Sequence, residues 1–344
     1  MSPTIQSLIL SSLATGTIIT MASQSWIMAW VGLEVNTLAI LPIISKNHHP
    51  RATEAMTKYF LTQAAASTMI LFASTLNAWH SGQWNTMQLT MEPASTLLTL
   101  ALAMKLGLAP AHFWLPEVLQ GSTIMTALII TTWQKLAPMA ILIMIHQNLP
   151  TTTLLVLGLT SSLWGGWAGL NQTQLRKIMA YSSIAHLGWI CIAITMNKTI
   201  TILTLIIYIL LTSMMFLSMN TNHSKTMKDL STMWTLSPTI PTFILLTLLS
   251  LGGLPPLTGF LPKWLILQEL TTHHLMLIAT LLAFSALLSL FFYLRISYTT
   301  AITLHPNQTT ISNKWRQKKY KYSKLISTLM PLTTIMIPML PIMF

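Results

Sequence analysis

The sequence predicts an all-α protein, a polytopic transmembrane helical bundle of about eleven spans. Three observations lead there. Apolar runs of span length recur from one end of the 344 residues to the other. Only 7% of the residues are charged and 53% are hydrophobic, with a mean hydropathy of +0.63, whereas a soluble domain carries about 25% charge. A Pro/Gly-rich segment also occurs twice inside otherwise apolar sequence, as if two long helices were each broken in the middle.

Taken in order, the apolar windows bounded by polar, Pro, Gly or Asn signals fall at roughly 3–21, 25–45, 56–79, 95–120, 123–146, 151–170, 175–196, 199–219, 238–271, 274–298 and 324–343. The first lacks a basic leader and a small-residue cleavage site, and another apolar run follows it. It is read as a retained span rather than a signal peptide. The fourth and ninth are too long and too rich in Pro and Gly to be simple helices, so each is read as one interrupted helix. The fifth carries Pro138, which loosens a helix near Lys135.

The connections alternate in charge. Those after the second, sixth, eighth and tenth spans, with their flanks, hold Lys46, Arg51, Lys58, Arg176, Lys177, Lys225, Lys228, Arg295, Lys314, Arg316, Lys318, Lys319, Lys321 and Lys324; the opposite set holds Lys198 alone. By the positive-inside rule the basic side is the cytoplasm, or the matrix in a mitochondrion, with the N-terminus inside and the C-terminus outside. This asymmetry accounts for the net charge of +12 without nucleic acid. The run from Lys314 to Lys324, interleaved with Trp315, Tyr320 and Tyr322, reads as a topology determinant with interfacial aromatics rather than a nucleic-acid patch. Cys191 is the one cysteine, too few for a disulfide, a CxxC pair or an iron–sulfur site. No GxGxxG or Walker loop occurs either, so no redox or nucleotide chemistry is expected on this chain.

Four charges break the loop pattern by falling inside spans: Glu34, Lys105, Lys135 and Lys263. A charge at the bilayer centre costs roughly 3 kcal/mol on insertion scales, so four cost on the order of 10 kcal/mol unless they pair or meet water. Such residues mark ion pathways. His112 and His186 also lie within spans. Trp26, Trp30, Trp164 and Trp167 read as packing or interface residues.

The duplicated segment reads G-L-A-P-A-H-F-W-L-P-E at 107–117 and G-L-P-P-L-T-G-F-L-P-K at 253–263. Gly107, Leu108, Pro110, Leu115 and Pro116 meet Gly253, Leu254, Pro256, Leu261 and Pro262 at one constant offset, with Trp114 opposite Phe260. The copies occupy the fourth and ninth spans, an odd number of spans apart, so they cross the membrane in opposite senses. Unusual segments at matching positions of two oppositely oriented halves are the signature of an inverted-repeat transporter. The expected organisation is a five-helix repeat at 1–147, an inverted five-helix repeat at 148–298, and a basic loop with a final span at 299–344.

A lysine, ordinarily charged below a pKa of about 10.4, passes on a proton only if burial and a movable counter-charge compete for control of its protonation. Glu34 is the mid-membrane carboxylate that could play that part for Lys105. Lys135 could accept the proton directly or through water, and Lys263 could pass it on. His112 and His186, with an unperturbed pKa of about 6.5, and hydroxyls such as those of Ser182 and Ser183 could hold bridging water. A static Glu34–Lys105 pair would hold two helices together instead, but it leaves Lys135 unexplained. Taken singly, each histidine also fits a helix–helix hydrogen bond.

Three stretches carry a family resemblance: K-L-G-L-A-P-A-H-F-W-L-P-E at 105–117, L-R-K-I-M-A-Y-S-S-I-A-H-L-G at 175–188 and G-G-L-P-P-L-T-G-F-L-P-K-W at 252–264. Across essentially the whole chain the sequence resembles the antiporter-like proton-pumping membrane subunits of respiratory complex I, NADH:ubiquinone oxidoreductase. The resemblance implies that Glu34 pairs with Lys105, that Lys135 is the central relay lysine, and that Lys263 is the lysine of the second broken helix. It implies a multi-pass place in the mitochondrial inner membrane, N-terminus to the matrix and C-terminus to the intermembrane space. Other complex I membrane subunits, antiporter-like neighbours among them, and membrane lipids are the implied partners. NADH, flavin, iron–sulfur clusters and ubiquinone are implied on other subunits, with no cofactor or metal here. Family members typically have fourteen spans, so this resembles an animal form lacking three N-terminal helices.

Three alternatives remain beside it. A free-standing cation/proton antiporter explains the buried charges equally well, but would be active alone, whereas a complex subunit co-purifies with redox partners. A haem-carrying cytochrome needs paired axial histidines at one depth, for which His112 and His186 are the available pair, and would show a Soret band. A passive scaffold leaves Lys135 without a purpose.

Overall fold

The computed structural model describes residues 2–47, 49–221, 224–302 and 323–334. Among them the secondary structure is helical with no β-strand. The elements are α1 (Pro3–Ala22), α2 (Trp26–Ile44), α3 (Pro50–Ser81), α4 (Glu92–Leu106), α5 (Trp114–Gly121), α6 (Ile124–Thr131), α7 (Trp133–Ile145), α8 (Thr151–Gly169), α9 (Leu175–Met196), α10 (Lys198–Thr221), α11 (Met227–Leu236), α12 (Thr239–Gly252), α13 (Phe260–Thr272), α14 (Met276–Ile302) and α15 (Ser323–Thr334). Among the described residues seven segments are long and apolar enough to cross a membrane: α1, α2, α3, α6 with α7, α9, α10 and α14. The basic residues Lys314, Arg316, Lys318, Lys319 and Lys321, and residues 335–343 of the eleventh window, lie outside the described residues.

Local chemistry explains the helix ends. Pro3 and Pro50 open α1 and α3 at the position where a missing N–H costs nothing. His49 Nδ1 accepts the Arg51 N–H at 3.2 Å, so α3 starts ahead of its apolar window, at Pro50 rather than residue 56. It stops at Gly82, which is left-handed at φ 69°. The helix α11 was not expected. It is too short and polar for an apolar window, yet carries a capping box in which the Asp229 carboxylate accepts the Thr226 N–H at 2.8 Å.

The fourth and ninth windows are interrupted as expected, and the two breaks match in detail. α4 ends at Gly107 (φ 82°, ψ 41°) and α12 at Gly253 (φ 82°, ψ 44°). In each, the next residue's N–H reaches five residues back, Leu108 to the Ala103 carbonyl at 3.0 Å and Leu254 to the Leu249 carbonyl at 3.4 Å. This is a Schellman cap, and its left-handed residue favours glycine. The equivalent glycines end the two helices alike, which is the local content of the sequence repeat. The Ala109–Pro110 peptide in the first break is cis.

The fifth window differs from the single helix expected. It is two helices, α6 and α7, parted at Thr132 (φ −111°, ψ −69°). Pro138 has no N–H to offer the Gln134 carbonyl. The Thr131 and Thr132 hydroxyls turn back onto the Ala127 and Leu128 carbonyls at 2.7–3.1 Å. Lys135 therefore sits in the first turn after a discontinuity.

The chain divides into two compact units, residues 1–161 with 190–198, and residues 162–189 with 199–344. In the first, α3 packs on α2, α4 and α5, and α7 packs on α1, α2 and α4. Lys58 on α3 bridges Glu54 at 2.5 Å and Glu117 of α5 at 2.6 Å, an exposed clamp across the second half of the interrupted helix. In the second unit, α12 packs on α11, α13, α14 and α15. Arg295 of α14 donates to the Leu170 and Gln172 carbonyls just beyond α8, a cation placed at a helix C-terminus where the dipole favours it.

Candidate proton-transfer site

In the first unit the interrupted helix delivers Lys105 in the last turn of α4, and the α6–α7 discontinuity delivers Lys135. Both are buried, 7% and 4% exposed, although an ionised ammonium in such surroundings costs several kcal/mol. Both line one cavity of about 20 Å³ walled by residues of α2, α3, α4, α5, α6 and α7, room for about one water molecule. Asn36, Tyr59, Gln63, Trp114 and Gln134 complete its polar wall.

Glu34 on α2 lies within Coulombic reach of Lys105 and of Tyr59. No Glu34–Lys105 ion pair within 4.0 Å exists among the described residues. The Glu34 Oε2 and Lys105 Nζ atoms are buried without a hydrogen-bond partner. The two act on each other through space without contact, which leaves the ammonium unlocked. His112 falls inside the break between α4 and α5, buried and tilted over Phe113 with ring centroids 4.3 Å apart.

Trp114, the first residue of α5, fixes the break. Its indole Nε1 donates to the Met104 carbonyl at 3.1 Å, one of the acceptors that a helix end leaves over. Its ring meets Tyr59 edge-on at 5.6 Å and 68°, tying the break beside Lys105 to α3.

The second unit solves the same problem with a charge. Lys263, in the first turn of α13 and 8% exposed, donates to the Gly252 carbonyl at 2.9 Å and the Leu251 carbonyl at 3.4 Å. Its own helix start is the wrong end for a cation, but the C-terminus of α12 is the right one. At the position matching Trp114 stands Phe260, which has no donor, and at the position matching Glu117 stands Lys263. In each break a side chain of the second half reaches carbonyls of the last turn, a neutral indole at Met104 in one and an ammonium at Leu251 and Gly252 in the other.

His186 of α9 sits in a separate cluster of the same unit. Its Nε2 is 3.5 Å from the Tyr293 hydroxyl, and its ring lies 5.8 Å from that of Tyr208. Ser182 and Ser183 act on Tyr293 and Tyr208 respectively, while their hydroxyls donate to the Met179 and Ala180 carbonyls. The structure thus brings Lys105, Lys135 and Glu34 together in one unit, with His112 in the adjoining break, and places His186 and Lys263 in the other. Sequence reasoning passed over Asn36, Gln63, Gln134, Tyr59, Tyr208 and Tyr293. The available signal was polar residues at helical spacing in an apolar span, Tyr59 with Gln63.

A family model described as NADH:quinone oxidoreductase/Mrp antiporter, TM, matches residues 23–289, and one described as NADH dehydrogenase subunit 2 C-terminus matches residues 290–344. The NADH-ubiquinone oxidoreductase chain 2 of Latimeria chalumnae is 54% identical over 343 residues, 100% of this chain and 99% of its own. The chain belongs to the NADH-ubiquinone oxidoreductase chain 2 family. The Salmo salar chain 2 is 57% identical over 316 residues, 92% of this chain and 90% of that relative. Among solved structures, a chain of respiratory complex I from Thermus thermophilus with bound aureothin superposes with a TM-score of 0.84 at 26% identity, covering 96% of this chain and 77% of that one. Membership in the chain 2 family agrees with the resemblance read from the three motif stretches.

Proposed function

We propose that this chain is a proton-translocating core membrane subunit of NADH:ubiquinone oxidoreductase and that its protons move through Glu34, Lys105, Lys135 and Lys263, driven by quinone reduction elsewhere in the complex. The observation that carries the reading is the convergence of Lys105 and Lys135 on one small polar cavity with Glu34 in electrostatic reach. The Glu34 carboxylate favours the ammonium form of Lys105, and the apolar surroundings of α4 oppose it. Drawing the two apart tips Lys105 toward release, and Lys135 across the cavity is the acceptor. Lys263 continues the transfer in the second unit, with His112 and His186 holding water beside the path. NADH, flavin, iron–sulfur clusters and ubiquinone belong to partner subunits in this reading, since the chain carries no motif for them.

The two interrupted helices are read as the centres of inverted five-helix repeats, and the basic connections as the matrix side of the mitochondrial inner membrane. The N-terminus then faces the matrix and the C-terminus the intermembrane space. Other complex I membrane subunits are the direct partners, with lipid against the exposed apolar faces.

Lys105→Ala, Lys135→Ala and Glu34→Ala each impair proton-coupled turnover in this reading while the complex still assembles, with proton transfer about a hundredfold slower. Protons moved per NADH oxidised, measured in proteoliposomes, check it. A wild-type ratio in all three variants overturns the relay. A chain that exchanges cations for protons without redox partners would identify a free-standing antiporter instead.

A further inference from the structure

The cavity between Lys105 and Lys135 holds more polar chemistry than two lysines require. Gln63 on α3 is 3% exposed and Asn36 on α2 is 2% exposed, and both line it. The Gln63 Nε2 atom and both side-chain amide atoms of Asn36 have no hydrogen-bond partner, and neither has Lys105 Nζ. Each such buried group destabilises the fold relative to a satisfied one. Met or Leu would fill the same space without that cost, so packing does not account for the amides. A cavity of about 20 Å³ admits about one water, provided two to four polar partners face it. Gln63, Asn36, Lys105 and Lys135 supply that number.

We propose that Gln63 is a positioning residue which, with Asn36, holds the water that carries the proton from Lys105 to Lys135. This rests on the relay reading above and adds its intermediate. The water accepts a hydrogen bond from the Lys105 ammonium and gives one to the neutral Lys135 amine. The Gln63 N–H occupies its second lone pair, and an amide oxygen takes its other hydrogen. In the transfer one N–H bond breaks at Lys105 and one forms at Lys135. The water gains one proton and gives one up, so charge and atoms balance. Gln63 lies one helical turn from Tyr59, whose ring meets Trp114, and Trp114 pins the Met104 carbonyl beside Lys105. The α3 face that bears the amide is therefore keyed to the helix break that presents the donor.

The test uses the assembled oxidoreductase in proteoliposomes, with Lys105→Met as the reference for the relay itself. Gln63→Met removes the amide at similar volume and is expected to slow proton translocation about tenfold. Gln63→Glu keeps hydrogen-bonding atoms, is expected to retain transfer, and shifts the pH profile of pumping because an ionisable group now faces the lysines. A merely structural glutamine would leave that profile in place. Wild-type pumping in Gln63→Met, or equal loss in both variants with an unmoved profile, overturns the proposal. Normal pumping in Lys105→Met overturns the relay as well, whereas loss there with normal Gln63→Met rejects the glutamine alone. If the variants fail to assemble, a map of the wild-type complex at water-resolving resolution decides. Ordered water in hydrogen-bond reach of Gln63 and a lysine ammonium supports the proposal. A dry cavity, or water out of reach of Gln63, overturns it.

Discussion

Gly259→Ala is expected to remove most of the assembled protein. Gly259 precedes α13 in a right-handed conformation, φ −69° and ψ −14°, so backbone strain is not the issue; space is. A Cβ at this position would collide with the Ser250 carbonyl oxygen, and would stand 2.6 Å from the Ser250 carbonyl carbon. Both are backbone atoms of the last turn of α12, and the same carbonyl accepts the Gly253 N–H at 2.9 Å. Moving it aside undoes the Schellman cap and with it the carbonyls that hold Lys263. The clash cannot be relieved by a rotamer, so the cost is about 3 kcal/mol or more, at the upper end for overpacking. Gly252→Ala, seven positions earlier in the same break, is the matched control. Its Cβ would meet side-chain atoms of Tyr293 and Leu290 at 3.8–3.9 Å, ordinary contact. Native-gel abundance and the melting temperature of the complex should fall for Gly259→Ala and hold for Gly252→Ala. Equal behaviour of the two would refute the close approach.

That break was legible in the sequence, and the position of the one ahead of Lys135 was not, for a physical reason. Gly107 with Pro110 and Gly253 with Pro256 announce a helix end directly, because a left-handed cap and a missing N–H are properties of single residues. At Thr132 the helix parts where two hydroxyls share helix carbonyls, six residues before Pro138. None of these residues is a breaker at its own position. The buried charges were legible one by one, since Lys105, Lys135 and Lys263 each violate apolar context. Their surroundings were not, because Asn36, Gln63, Gln134 and Tyr59 come from three different helices and meet at the cavity only once those helices pack. A polar residue alone in an apolar span reads as an interhelical hydrogen bond. Only convergence makes it part of a site. Likewise the alignment of the two repeats identified Trp114 with Phe260, but not that the end of α12 is served by Lys263 at neighbouring carbonyls.

Because Lys263 caps α12 and also stands in the proposed relay, two substitutions should separate the roles. Lys263→Arg keeps a cation whose planar fork can serve the Leu251 and Gly252 carbonyls together. Assembly and melting temperature should therefore stay near wild type. A guanidinium does not give up its proton in a protein, so proton transfer through this position should stop, with translocation at least about a hundredfold slower. Lys263→Met removes the donor altogether. Two helix-end carbonyls, now held at 2.9 and 3.4 Å, lose their partner in a buried place, at about 1–3 kcal/mol. This variant should pump no better than Lys263→Arg and also melt earlier. Wild-type translocation in the Arg variant would show that Lys263 only caps. A Met variant that melts with wild type would show that the carbonyls do not depend on it. In the first unit the Trp114 indole holds another carbonyl of the last turn, that of Met104, and Lys105 caps none, so Lys105→Met should lose translocation without a comparable loss in melting temperature. The contrast follows from one difference between the breaks. At α4 the neutral cap leaves the lysine beside it uncommitted, and at α12 the cap is itself the group that would have to release a proton.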